Sequence, residues 1–154
     1  MARVLRNGGT VALQTYAGLE DQPGYGPFVD TVVRHAGTRA RSLLGTYWSK
    51  GDVAELRSLL EEVDLESSAA ETGLGDVTFP SVEALVHTEI RATPLAERID
   101  DSTYLAIVRD ARVALVDHVD AQGAIRLPIR ARFVAQEALS ARSAMHPSSS
   151  TGGP

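Results

Sequence analysis

The chain contains no cysteine among its 154 residues. This absence excludes disulfide bonds, metal sites built from thiolates and catalysis by a cysteine nucleophile. Aromatic residues are scarce as well, at 5% of the sequence. No run of about 18 apolar residues occurs that could form a membrane-spanning helix. The residues before Asn7-Gly8-Gly9 are too few to form a signal peptide, so we expect a cytoplasmic protein.

Positive charge is in deficit too. The chain carries 15 Lys and Arg residues against 20 Asp and Glu residues, which gives a net charge of -5 and a pI near 5.3. A nucleic-acid-binding domain would show a basic face. We therefore expect neither nucleic acid nor a membrane among the partners of this protein.

The residues that are present have the composition of a soluble globular protein, with 44% hydrophobic and 23% charged. The length corresponds to about one domain by the usual rule of ~150 residues per domain. From about residue 140 the chain is rich in Ser, Gly and Pro, a composition that cannot bury enough apolar surface to become ordered. The sequence predicts one domain over residues 1–139 and a disordered tail over residues 140–154.

Residue preferences and periodicity predict alternating strands and helices. A buried strand is predicted over residues 10–17, weaker strands over 65–70 and 76–79, and a last strand over 125–135. Pro128 suggests the beginning of that last strand or an edge position. Apolar spacing and capping residues predict helices over 27–37, 52–63, 81–92 and 101–120. Residues 38–50 give no clear prediction.

The opening segment RVLRNGG (Arg3–Gly9), followed at once by a hydrophobic strand, resembles a turn of class I S-adenosylmethionine-dependent methyltransferases. Three later segments extend the likeness toward the ubiquinone-biosynthesis-like subgroup: a crossover helix over 51–63, an insertion over 79–95 and a closing strand over 123–135. The resemblance covers residues 3 to 136 and corresponds to the C-terminal half of the family domain. Asn7 stands where the family usually has proline, and Val63-Asp64-Leu65 stands in place of its common Gly-Phe helix stop.

The resemblance implies an α/β fold, with a partial Rossmann-like sheet of strands equivalent to five, six and seven and a helical cap. In the family, a glycine-rich turn in the first half of the sheet holds S-adenosylmethionine. No glycine cluster of this chain has the G-x-G-x-x-G form between a strand and a helix. We therefore expect a substrate-side portion that acts on a small molecule, while the isolated chain binds no cofactor and is inactive.

Five of the eight aromatic residues lie in the first third of the chain, and among them we single out Tyr16 and Trp48. Tyr16 ends the first predicted strand at its carboxyl side, the edge where substrate and cofactor meet in the family. The simpler interpretation is that these rings pack in the core; the functional one is that Tyr16 and Trp48 line a substrate pocket.

No catalytic residue is predicted. No metal site is predicted either, because the histidines do not share a metal-ligand spacing. His35 lies near a predicted helix C-terminus, where the free backbone carbonyls favour a positively charged side chain. We therefore expect His35 to interact with these carbonyls. The alternative is that His35 acts as a base facing the substrate. His87 is predicted on a solvated helix face and His118 on an exposed helix edge, whereas His146 falls in the predicted tail.

The same resemblance leaves the first predicted strand without a neighbour on one side. An unpaired strand edge is a template for pairing with another chain. The expected partner is a second copy of this chain or the other half of a methyltransferase. The alternatives are a non-enzymatic dimerising or ligand-binding module derived from a methyltransferase, and a decayed, poorly folded relic.

Overall fold

The computed structural model describes residue 6 and residues 9–62 and 65–138. The predicted tail, His146 and most of the opening RVLRNGG segment lie outside the described residues. In chain order, three helices separate the first two strands and two helices separate the second and third, with short 3-10 turns between several of these elements. The strands are β1 (Thr10–Tyr16), β2 (Leu65–Phe79) and β3 (Ile125–Ala138). The helices are α1 (Tyr25–Ala36), α2 (Thr38–Leu44), α3 (Val53–Glu61), α4 (Val82–Arg91) and α5 (Asp101–Ala114).

The three strands form one antiparallel sheet in the order β1-β3-β2. The fold therefore combines helices with a β-sheet, which agrees with the predicted α/β class in its general sense. The prediction of a buried strand at residues 10–17 is wrong, because β1, which pairs antiparallel with β3, alternates between exposed and half-buried residues. Such alternation is typical of an antiparallel strand that is covered on one face.

β2 is one continuous strand where the sequence suggests two weak ones. Gly73 and Gly75, which break the strand pattern in the sequence, both pair with β3. At Gly73 the reason is packing, since a Cβ there would lie 2.5 Å from the Phe133 ring. Glycine in a strand often marks such a close approach.

Pro128 lies inside the central strand, opposite Asp76 of β2. The pairing of β1 with β3 ends at Ala131, so the β1 side of Pro128 has no strand beside it. Arg130 directs its N–H toward that side, and the nitrogen of Pro128, two residues earlier, points the same way. Pro128 thus lies at a local edge, which is why a residue without an N–H is tolerated there.

The predicted helix starts are confirmed at two caps. The Asp52 carboxylate accepts a hydrogen bond from the Ala54 N–H (2.8 Å), and the Ser81 hydroxyl accepts one from Ala84 (3.2 Å). The last helix is shorter than predicted: α5 ends at Ala114, and a 3-10 turn over Val116–His118 follows. Valine, aspartate and histidine all have low helix propensity, which weakens the helix at this point.

Apolar residues pack on both faces of the sheet. The larger cluster lies between one face and helices α1, α2, α4 and α5, and it includes Leu127 of β3. A small cluster lies on the opposite face, where Leu56 and Leu60 of α3 contact Val134. Leu127 and Val134 are an odd number of positions apart, so their side chains point to opposite faces. No helix among the described residues is long and apolar enough to cross a membrane.

Candidate functional site

A cavity of about 210 Å³ opens at the carboxyl end of β1, between the sheet and helices α1, α2 and α4. We call it the aromatic pocket. Its lining combines aromatic rings, aliphatic side chains and one carboxylate. The lining residues are Tyr16, Tyr25, Phe28, Val29, Leu44, Tyr47, Trp48, Val77, Glu89 and Ile129.

The rings of the aromatic pocket form a continuous chain. The ring centroids of Tyr16 and Trp48 lie 5.0 Å apart, and Trp48 lies at the same distance from Tyr25. Tyr25 in turn meets Phe28 edge to face at 6.4 Å. These separations are typical of favourable aromatic pairs. The structure therefore brings together Tyr16 and Trp48, the two residues that the sequence suggests for a pocket.

The walls of the aromatic pocket differ in exposure. Trp48 and Tyr25 are buried, at 7% and 6% exposed, whereas Tyr16 is 37% and Tyr47 is 64% exposed. Trp48 and Tyr47 come from a 3-10 turn over Gly45–Trp48, in the segment for which the sequence gives no clear prediction. The buried rings can fix the position of a ligand, while the tyrosines at the rim leave the cavity open to solvent.

Two backbone segments beside the aromatic pocket, at Gly51 and at Gly18, are in close contact. Gly51 follows the 3-10 turn and packs against the end of β1, where a Cβ on Gly51 would lie 2.1 Å from the Gly18 nitrogen. Only glycine permits such an approach of two backbones. This contact holds Trp48 beside Tyr16.

Glu89 of α4 is the only charged side chain in the lining formed by the described part of the chain. Its Oε1 accepts a hydrogen bond from the Tyr25 hydroxyl at 3.1 Å. Burial raises the pKa of the Glu89 carboxyl above its ordinary value, although the hydrogen bond from Tyr25 opposes the change. Burial and the neighbouring Glu89 raise the pKa of Tyr25 as well. The pair is thus a carboxyl group and a phenol, both partly withdrawn from water.

Glu89 was not among the residues that the sequence suggests for a site. A signal was present: Glu89 falls in the apolar stripe of its helix, with Leu85, Val86 and Ile90, all of which are buried. An acidic residue within a buried stripe has to find a partner or a cavity. Here it finds both.

Gln22 fixes the end of β1 through side-chain hydrogen bonds to the backbone. It is 2% exposed, and its amide nitrogen donates to the carbonyls of Ala17 and Arg130, each at 3.0 Å. Its amide oxygen accepts from the Arg130 N–H at 3.0 Å. The side chain thus takes the place of a strand residue where β1 stops, and it satisfies backbone groups that would otherwise be buried unpaired.

None of the three histidines that the structure describes lines the aromatic pocket. His35 Nε2 lies 2.8 Å from the Asp110 carboxylate of α5, and Arg109 donates to that carboxylate as well. Hydrogen bonds from Arg109 and His35 lower the pKa of Asp110 to about 2. His35 therefore links α1 to α5, in place of the predicted contact with helix carbonyls. His87 is exposed, as predicted, and His118 is half-buried. Nowhere in residues 9–62 and 65–138 do three His, Asp or Glu side chains converge as metal ligands would.

Two glycines of the described chain leave no room for S-adenosylmethionine, the cofactor that the resemblance implies for the complete family domain. A nucleoside site would need glycines that leave room for a ligand. At Gly24 a Cβ would meet Leu127 at 2.4 Å, and at Gly73 it would meet Phe133. These glycines make room for side chains of β3, and Gly8 lies outside the described residues.

Comparison with models of known protein families and with curated proteins finds no match to this chain.

Proposed function

We propose that this chain is the acceptor side of an S-adenosylmethionine-dependent methyltransferase and binds a small molecule. The observation that carries the proposal is the aromatic pocket at the carboxyl end of β1. The resemblance places substrate at this edge of the sheet, and Tyr16 lies there with Trp48. A concave, largely apolar cavity with one or two polar groups is the usual form of a small-molecule site.

The topology supports the same proposal. Three strands lie near the positions that the resemblance gives to strands five, six and seven, and helices separate them along the chain. Apolar clusters on both faces of the sheet are compatible with a portion of a Rossmann-like domain. A cytoplasmic location belongs to this proposal as a prediction from the sequence.

The role of the chain's own residues in this proposal is to bind and orient. Methyl transfer depends chiefly on the alignment of the reacting atoms, so an acceptor held in one orientation accounts for much of the acceleration. Trp48 and Tyr25 are buried rings with defined neighbours and can supply that orientation. Glu89 supplies the one charge in the cavity.

The reading frame upstream of Met1 tests the proposal. We expect in-frame codons for a strand, a glycine-rich turn and a helix, the parts that hold S-adenosylmethionine in the family. A stop codon directly before Met1 would contradict the proposal. Calorimetric titration of the 154-residue chain with S-adenosylmethionine is expected to show no specific heat; specific binding would overturn the assignment to the acceptor side alone.

A second candidate is a non-enzymatic module that dimerises. The observation in its favour is the edge of β1, which pairs with β3 on one side and with no other strand of the described chain. Free N–H and C=O groups along such an edge can pair with a second copy. Sedimentation velocity of the full chain tests this candidate, and a single monomeric species over the whole concentration range would exclude it.

A further inference from the structure

We propose that the aromatic pocket binds an organic ammonium group, so that the ligand is a small amine with an apolar body of about one ring. The inference deepens the proposed function and rests on it in one respect, namely that the aromatic pocket is the acceptor site. Glu89 is the counter-charge, and the surrounding rings form the rest of the cation site.

The first argument for an ammonium ligand is the charge of the cavity. Among the lining residues that the structure describes, Glu89 is the one carboxyl group, and none is Lys, Arg or His. The salt bridges found in the described residues all involve other acids. Among the described residues, the Glu89 side chain therefore has one polar partner, the Tyr25 hydroxyl, and no basic side chain within salt-bridge distance. A half-buried carboxylate without a cation is costly unless a ligand brings one.

The second argument for an ammonium ligand is the aromatic lining of the cavity. Five of the eight aromatic residues of the chain line this one cavity, in a protein with few of them. The face of an aromatic ring is electron-rich and attracts a cation, most strongly where water is excluded. Tyr25 brings the two features together, because its ring packs on Trp48 while its hydroxyl holds Glu89. A cation beside Glu89 thus lies among these rings.

The size of the cavity limits the ligand. Apolar cavities of about 150 Å³ are known to hold one benzene molecule. At about 210 Å³, the aromatic pocket has room for one ring and a short side chain. Val29, Leu44, Val77 and Ile129 supply the apolar surface for that ring.

Competing ligand classes fit the cavity less well. An anion would meet the Glu89 carboxylate with no basic side chain to offset it. A neutral ligand would fill the cavity but leave the carboxylate as uncompensated as before. The raised pKa of Glu89 agrees with this interpretation, because it reflects a carboxylate that its surroundings compensate poorly.

Three probes of one shape and different charge test the inference near neutral pH: benzylamine, which is then a cation, benzyl alcohol and benzoate. The full 154-residue chain is titrated with each, and the signal is the fluorescence of Trp48, the single tryptophan in the sequence. We expect benzylamine to bind at least about tenfold more tightly than benzyl alcohol, and benzoate to bind most weakly.

Glu89→Gln removes the charge but keeps an oxygen that can accept from Tyr25, so we expect the fold to persist and the preference for benzylamine to disappear. Glu97→Gln is the matched control, because Glu97 is exposed and lies outside the pocket lining. It should retain the preference. Thermal melts of both variants verify that they are folded.

Two results would overturn the inference, and they bear differently on the proposed function. Equal affinity of the chain for benzylamine and benzyl alcohol would show a site that ignores charge, and it would leave the small-molecule site intact. The same holds if Glu89→Gln keeps the preference. No binding of any probe by the folded chain would overturn the ammonium site and the acceptor site together.

Discussion

At the scale of single residues, two polar side chains shape the site: Gln22, which is buried, and Glu89, which is half-buried. Gln22 completes the hydrogen bonding of Arg130 where β1 stops, and Glu89 gives the aromatic pocket its charge. Neither belongs to the residue types that usually attract notice in a sequence. Both are nevertheless positions where a substitution has a clear physical consequence.

Substitution of Gln22 by alanine should destabilise the protein by about 1–3 kcal/mol, because the buried N–H of Arg130 loses its acceptor. The measurement is the free energy of unfolding in urea. Gln14→Ala is the control, since Gln14 is an exposed glutamine on the neighbouring β1 strand. An equal loss in the two variants would contradict the role assigned to Gln22.

The second residue-scale prediction concerns pH. Burial raises the pKa of Glu89 in the folded state above its ordinary value of 4.5, so its protonated form favours folding. The stability that this group contributes is fully present below pH 4.5 and is lost as the pH rises through the folded-state pKa. Glu89→Gln mimics the protonated form and should therefore melt at or above the wild-type temperature at neutral pH.

The difference between the two melting temperatures should shrink as the pH falls to about 4, where the wild-type carboxyl is also protonated. Differential scanning calorimetry at several pH values measures it. A Glu89→Gln protein that melts lower than the wild type at neutral pH would show that the charge stabilises the fold, contrary to this prediction.

At the scale of secondary-structure elements, the position of the 3-10 turn over Gly45–Trp48 depends on the contact of Gly51 with Gly18. Gly51→Ala would force two backbone segments apart, and overpacking of this kind costs about 1–3 kcal/mol or more. Thermal unfolding gives the change. Because Trp48 lies just before Gly51, its fluorescence should change as well.

Gly45→Ala is the matched control for that element. A Cβ on Gly45 meets nothing within 4 Å, and its backbone, at φ -73 and ψ -7, suits any residue. We expect no loss of stability and a gain of up to about 1 kcal/mol, because alanine restricts the unfolded chain. A loss in Gly45→Ala as large as in Gly51→Ala would refute the specific role of Gly51.

Helix starts could be predicted from the sequence because their signals are local. Asp52 and Ser81 cap their helices through their own side chains, so a few residues carry the whole signal. β2 could not be predicted as one strand, since what holds Gly73 in the sheet is β3, about sixty residues away. Pairing between distant strands overrides local preference there.

The candidate site was predictable only in part. Tyr16 and Trp48 follow from the scarcity of aromatic residues and from the strand end, and the structure places their rings 5.0 Å apart. Glu89 and Tyr25 could not be paired from the sequence, because 64 positions separate them. Their contact depends on how α1 and α4 pack on the sheet, which the local pattern does not contain.

At the scale of the whole molecule, the two apolar clusters are unequal. The cluster on the helical face includes side chains from four helices and β3. The opposite cluster has three buried members in the described residues, Leu56, Leu60 and Val134. Since burial of apolar surface is the main stabilising term, the two faces of the sheet differ in how firmly their helices are held.

We expect α3 to be held less firmly than α4, because few buried apolar side chains among the described residues contact it. An element held by few buried contacts detaches at a lower free energy than the global transition, so the backbone amides of α3 should exchange with deuterium well before those of α4. Mass spectrometry of labelled peptides can time the two helices in one sample. Exchange of α3 and α4 at the same rate would mean that the domain unfolds as a single unit. Faster exchange in α3 would show that α3 unfolds locally before α4 does.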